Sequence, residues 1–177
     1  MAAATRPAVQ DATYPREDIA RLLAPPEQEH PGTKLRRLLT EANDKGSFLH
    51  TVGAYDAYTA AIMTRLGFKA LYVSGVNIAC TYPDIRSGWQ LAAVKNMFPD
   101  IGVYHSHQMV ELVQELWKGI EGARHTHYYD TEGKELLSVP PVFVDMEAGF
   151  GGPTQTFSLA TELVRARAAG VHLENQD

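Results

Sequence analysis

Four short apolar runs, separated by helix-forming stretches, constrain the fold of this chain more than any other feature. FLHTVGAYD begins at Phe48, FKALYVSG at Phe68, VPPVFVD at Val139 and VHLE at Val171. The runs are close to continuously apolar rather than alternating, as strands buried on both faces are. The first run breaks at Gly53, and AYTAAIMTRLG follows it as a helix, with Asp56 as N-cap and Gly67 as its stop. PTQTFSLATELVRARAAG follows the third run, with Phe157, Ala160, Leu163, Val164 and Ala168 on one helical stripe and Gly170 as terminator. Strands alternating with helices predict an α/β fold with a parallel sheet covered on both faces. Its strands are expected over 48–52, 69–74, 140–145 and 170–174, side by side in that order.

A further helix is expected over TKLRRLLTEANDKG, from a Thr33 cap to Gly46. Met109, Leu112, Val113, Leu116 and Ile120 recur at helical spacing in SHQMVELVQELWKGI, which predicts a long helix there. HTHYYDTEGKELLS after it reads as a polar surface excursion. Residues 1–32, with ATRPAV and LAPPEQEHPG around PREDIARLLA, read as an N-terminal arm, and residues 33–177 as the catalytic α/β domain.

Composition closes off several function classes. A chain of 177 residues buries roughly 70% of its extended surface, enough for one core. The single cysteine, Cys80, excludes a disulfide framework and multi-cysteine metal sites, and points to a reducing compartment, the cytoplasm. A net charge of −5 gives nucleic acid no electrostatic footing. No apolar run approaches the ~18–20 residues of a membrane span, and the N-terminus lacks a signal-peptide apolar region.

In β/α folds the reacting groups sit at the C-terminal ends of strands. Here those ends carry Ser74-Gly75, then Asp145-x-Glu147, then His172-x-Glu174. Carboxylates converging on one rim repel unless a cation lies between them. Oxygen donors without a cysteine cluster select Mg²⁺, or Mn²⁺, over zinc. The competing structural reading is that Asp145 and Glu147 cap the helix that starts near Pro153. His172 likewise has a bland alternative as a satisfied core histidine, and Cys80 as a small buried hydrophobe. The glycines of EAGFGG fit neither phosphate-loop spacing and read as a tight turn. His105 and His107, two apart, are expected on opposite sides of a strand or adrift on a loop, with no metal role.

VDMEAGFGG, followed one helix later by GVHLENQ, resembles the signature of the isocitrate lyase and phosphoenolpyruvate mutase superfamily. TVGAYDAYTAAIMTRLGFKALYVSGVNIA resembles its first two β/α units, and FPDIGVYHSHQMVELVQEL its third. The wording EAGFGG and the long excursion before VPPVFVD look most like isocitrate lyases. GAYDA and Ser74-Gly75-Val76 look more like methylisocitrate lyases and mutases, since isocitrate lyases usually have Trp where this chain has Val76.

The resemblance implies a TIM-type (β/α)₈ barrel. Such a barrel takes ~250 residues, so residues 33–177 would supply its N-terminal half. It also implies Mg²⁺, a small 2-hydroxy acid substrate, a homotetramer, and cleavage of isocitrate to glyoxylate and succinate. Carried over to this chain, Ser74, Gly75 and Val76 contact substrate, Asp145 is the principal acid at the metal, and Glu147 lies beside it. Glu174 and His172 are the catalytic pair. Asp100 is the metal-site acid of the Pro-Asp motif, preferred over its rival Asp84 because a clear helix follows it. Family members carry a catalytic cysteine in a Lys-Lys/Arg-Cys-Gly-His loop beyond the last strand here. The sequence ends at Asp177, before that loop, Asn175 replaces the usual Asp, and Cys80 is in the wrong unit. Three readings stay open: an isocitrate lyase, a methylisocitrate lyase or phosphonopyruvate-type mutase, and an inactive fragment or interaction subunit.

Overall fold

The computed structural model describes residue 17 and residues 29–76, 78, 104–131 and 134–175. Helix α1 (Pro31–Asp44) leads into strand β1 (Thr51–Gly53), helix α2 (Ala57–Arg65) and strand β2 (Ala70–Val73). Helix α3 (Ser106–Asp130), strand β3 (Val142–Asp145), helix α4 (Pro153–Arg165) and strand β4 (Gly170–His172) follow. All four strands are parallel and lie in sequence order β1-β2-β3-β4, as the alternation of apolar runs predicts. Paired positions run Val52–Leu71, Val73–Val144 and Asp145–His172. The strands are three or four residues long; β1 begins three residues later than the expected 48–52 and runs to Gly53, and β4 starts at Gly170, one residue before its apolar run.

Local chemistry fixes the helix ends. Asp56 caps α2, its carboxylate accepting from the Thr59 N–H at 2.7 Å, while the Thr59 hydroxyl accepts from the Asp56 N–H at 3.2 Å. At α1 the expected Thr33 cap is displaced. The helix starts at Pro31, whose ring presets φ and whose missing N–H costs nothing there, and His30 caps it by accepting from the Gly32 N–H at 3.2 Å.

The core lies between the sheet and α3. Met109, Leu112, Val113, Leu116 and Ile120 are fully buried, each stabilising by roughly 1.5–3 kcal/mol. They meet Leu71, Val73, Val142 and Val144 from the sheet. Gly119 lets α3 lie directly against α2, because a Cβ there would collide with the Ala57 carbonyl. Contrary to the polar excursion expected after Ile120, α3 continues to Asp130. Ala123, Arg124 and Tyr128 prolong its buried face, and Arg65 pairs with Asp130 at 3.2 Å. His105 and His107 are therefore not on a strand or loose loop. They sit at the N-terminus of α3 with stacked rings 5.4 Å apart. On α4, Leu159 and Leu163 are buried while Phe157 and Val164 are 76% and 58% exposed, so the buried stripe is narrower than the sequence pattern suggests. No helix among the described residues is long and apolar enough to cross a membrane.

Candidate active site

The register of β3 on β4 creates the site. Asp145 and His172 are paired positions on adjacent parallel strands, so their side chains leave the sheet on the same side. His172 Nε2 lies 3.1 Å from Asp145 Oδ1 and 3.3 Å from Glu174 Oε1. Glu174, two residues past His172, returns to the same side by the two-residue period of extended chain. Asp145 is buried, whereas His172 and Glu174 are half-buried.

The turn after β3 brings a third carboxylate. Glu147 adopts φ of +49°, a left-handed conformation uncommon for a side-chain-bearing residue. Two hydrogen bonds hold it: its N–H donates to Asp145 Oδ1 at 3.0 Å, and its carbonyl accepts from the Glu174 N–H at 2.8 Å. The Met146 N–H donates to the His172 carbonyl at 3.0 Å. These bonds staple the exits of β3 and β4 together, so the carboxylates approach one another without free adjustment.

Two phenols complete the ring of groups. Tyr72, on β2, donates to Asp145 Oδ2 at 3.3 Å and stacks on the His172 imidazole, centroids 5.9 Å apart and planes 12° apart. Tyr104 donates to Glu147 Oε1 at 2.7 Å, with its ring against Phe150. Burial pushes both phenols well above the ordinary tyrosine range, and the carboxylate each one touches pushes further in the same direction. Both therefore act as hydrogen-bond donors.

Ser74, Gly75 and Val76 leave the C-terminal end of β2, where a helical turn begins, with the Ile78 N–H donating to the Ser74 carbonyl at 3.2 Å. Gly75 is buried beneath Glu147. A Cβ at this position would collide with Glu147 Oε1 and lie 2.7 Å from the Tyr104 hydroxyl oxygen.

Ser74, Gly75, Val76, Asp145, Glu147, His172 and Glu174 thus gather at one end of the sheet. Asp84, Asp100 and Cys80 lie outside the described residues. The helix-capping alternative for Asp145 and Glu147 fails, because α4 is capped by Gly152 with no side-chain hydrogen bond. The core-histidine alternative for His172 fails as well, since its Nε2 faces two carboxylates. Tyr72 and Tyr104 escaped the sequence reading. Tyr72 had a signal: it precedes Ser74 by two, hence shares its side of β2. Tyr104 had none beyond preceding a helix.

Asp145, His172 and Glu174 each offer one donor atom within 4.8 Å of the other two. Two carboxylates and an imidazole suit a divalent cation, and the predominance of oxygen suits a hard one.

A parallel β/α sheet with its acids gathered at the C-terminal strand ends places the site where β/α barrel enzymes carry theirs. Residues 39–177 match the family described as phosphoenolpyruvate phosphomutase, and the chain belongs to this family, within the phosphoenolpyruvate mutase and isocitrate lyase superfamily. The isocitrate lyase of Halalkalibacterium halodurans is 31% identical over 147 residues, covering 81% of this chain and 30% of that protein. The solved structure of oxaloacetate acetylhydrolase with its product oxalate is similar at a TM-score of 0.55 and 25% identity, over 84% of this chain and 40% of that one. 2,3-Dimethylmalate lyase, another superfamily member, shares the fold at a TM-score of 0.56 and 22% identity, over 85% of this chain and 41% of that one. The chain spans less than half the length of each of these relatives.

Proposed function

We propose that this chain forms the first half of the catalytic barrel of a carbon–carbon lyase that cleaves isocitrate to glyoxylate and succinate. The observation that carries the proposal is the convergence of Asp145, His172 and Glu174 at adjacent strand ends. The likeness to isocitrate lyases supports the choice of substrate.

In this reading Asp145 is the principal acid that holds Mg²⁺ (or Mn²⁺), with Glu147, Glu174 and, from the Pro-Asp segment, Asp100 around it. Bound Mg²⁺ supplies positive charge that polarises the developing glyoxylate carbonyl and fixes its carboxylate. The Ser74 hydroxyl and Gly75 N–H hold a substrate carboxylate, with Val76 beside it. His172, whose Nε2–H faces the two carboxylates, accepts the 2-hydroxyl proton at Nδ1 as the C2–C3 bond breaks. The electron pair passes to C3, and a proton delivered there by a general acid completes succinate. The N-terminal arm over 1–32, a homo-oligomeric state and a cytoplasmic location belong to the same proposal.

Val76 favours a second reading. A residue much smaller than the usual Trp leaves room beside Ser74 for an added methyl group, which suits 2-methylisocitrate. One assay separates the two. Purified enzyme of verified mass, with Mg²⁺, is given each substrate while 2-oxo acids are trapped. Glyoxylate from isocitrate at the higher kcat/KM supports the first reading, and pyruvate from 2-methylisocitrate at the higher kcat/KM selects the second. Neither product from a chain extended through the Lys/Arg-Cys-Gly-His loop would overturn both.

A further inference from the structure

We propose that the end of the sheet opposite the carboxylate cluster carries a second binding site, for a small carboxylate with an apolar body. A cavity of about 240 Å³ lies there, among α1, α3 and the segment that leads into β3. Its floor is apolar, with Trp117, Leu137 and Pro141 among the lining residues. Lys34 and Arg124 bring two cations to its wall.

Lys34 determines the ligand's charge. Its ammonium donates to Ser138 Oγ at 2.8 Å and to the Val139 carbonyl at 2.7 Å. Both partners are neutral oxygens, which leaves the third ammonium N–H for a ligand. Glu29, a carboxylate that also lines the cavity, is engaged with Arg37 at 2.9 Å. Burial holds both Lys34 and Arg124 below their ordinary ranges; Arg37, Lys69 and Arg124 lower Lys34 further while Glu29 opposes them, and at Arg124 the opposing charge of Glu121 outweighs that of Arg167. An anion in the cavity would favour the charged form of Lys34. A half-buried Lys34 and a buried Arg124 beside an apolar lining fit a carboxylate whose hydrocarbon part faces Trp117.

Size sets the rest. At about 30 Å³ per water-sized unit, the volume suits roughly eight non-hydrogen atoms, the scale of a branched short-chain acid. β3 separates this cavity from Asp145 by about 13 Å of extended chain, so the two sites share no residue.

The test uses isovalerate as probe and its amide as neutral isostere, with binding followed by calorimetry and by the Trp117 indole N–H resonance. Isovalerate should bind with a Kd of about 1 mM and shift that resonance, and the amide should bind at least about tenfold more weakly. Lys34→Met should weaken isovalerate by a similar factor. Leu137→Trp, which fills the cavity but keeps both cations, should abolish binding, and Glu174→Gln should leave it unchanged. Absence of saturable binding at about tenfold the expected Kd, equal binding of acid and amide, or sensitivity to Glu174→Gln with indifference to Leu137→Trp would overturn the proposal. None of these outcomes depends on lyase activity.

Discussion

Tyr104 places its hydroxyl 2.7 Å from Glu147 Oε1 while itself 5% exposed, so a buried neutral donor fixes the one carboxylate of the site that sits on a left-handed turn. Tyr104→Phe removes that donor without changing the packing against Phe150. It should lower stability by about 1.5–3 kcal/mol, the usual range for a hydrogen bond to a charged partner. The shift in urea midpoint at constant m-value measures it. An unchanged midpoint would mean that the Tyr104 bond does not hold the turn.

Alkaline pH should expose the same contact. Tyr72 and Tyr104 are raised above the ordinary tyrosine value near 10 because the folded protein favours their neutral forms. Their contribution to stability is then fully present below about pH 10 and declines as pH rises from there toward their folded-state values. Of the eight tyrosines, these two should not ionise before the chain unfolds. Absorbance at 295 nm, followed alongside far-UV circular dichroism, reads both events. Ionisation of every tyrosine in one step near pH 10, with the fold intact, would contradict this.

Gly75→Ala is expected to act at a distance from its small size. The added methyl group would meet the Glu147 carboxylate and the Tyr104 hydroxyl. The flexible end of Glu147 can retreat, so the fold should survive, with a stability loss in the range of about 1–3 kcal/mol for overpacking. The metal should bind less tightly because Glu147 no longer sits beside Asp145. Calorimetric titration with Mg²⁺ compares the two proteins, and equal affinities would place Glu147 outside the metal's surroundings.

Asp145→Ala tests the centre of the cluster. Loss of this carboxylate should weaken Mg²⁺ by more than the roughly 10–100-fold typical of a supporting partner, and abolish turnover. Because Asp145 also accepts from the Tyr72 hydroxyl and the Glu147 N–H, its removal should lower stability by about 1–3 kcal/mol while the protein still folds. Retained metal dependence and near-normal turnover would reassign the site.

The fold was legible where period and punctuation agreed. Continuous apolar runs located the strands, and Asp56 located the start of α2, because both are local consequences of side-chain chemistry. Thr33 misled because Pro31 begins the helix two residues earlier, and a proline's fixed φ outweighs a hydroxyl cap. The polar segment HTHYYD misled because composition hides which side of α3 each residue occupies. Tyr128 is buried at a spacing that continues the stripe from Ile120. At the site, the strand-end residues were visible from their order alone. What the sequence could not convey was register: only the pairing of Asp145 with His172 puts an imidazole between two carboxylates. Tyr104, remote in sequence from all of them, reaches Glu147 only through tertiary packing.

That imidazole is the group whose exchange separates chemistry from binding. His172→Gln keeps an N–H near the position of Nε2, so the two carboxylates retain a shared donor and the exits of β3 and β4 stay stapled by their backbone bonds. Glutamine cannot accept a proton, and it loses the flat ring that stacks on Tyr72. Mg²⁺ favours oxygen over nitrogen donors, so its affinity should change by less than about tenfold. If His172 accepts the 2-hydroxyl proton, kcat should fall by about 10²–10⁴, with the acidic limb of the pH–rate profile flattened. Steady-state kinetics across pH, together with Mg²⁺ titration of the same protein, measure both quantities. A parallel collapse of metal affinity and rate would make His172 a metal ligand. An unaltered rate would leave Glu174 as the base.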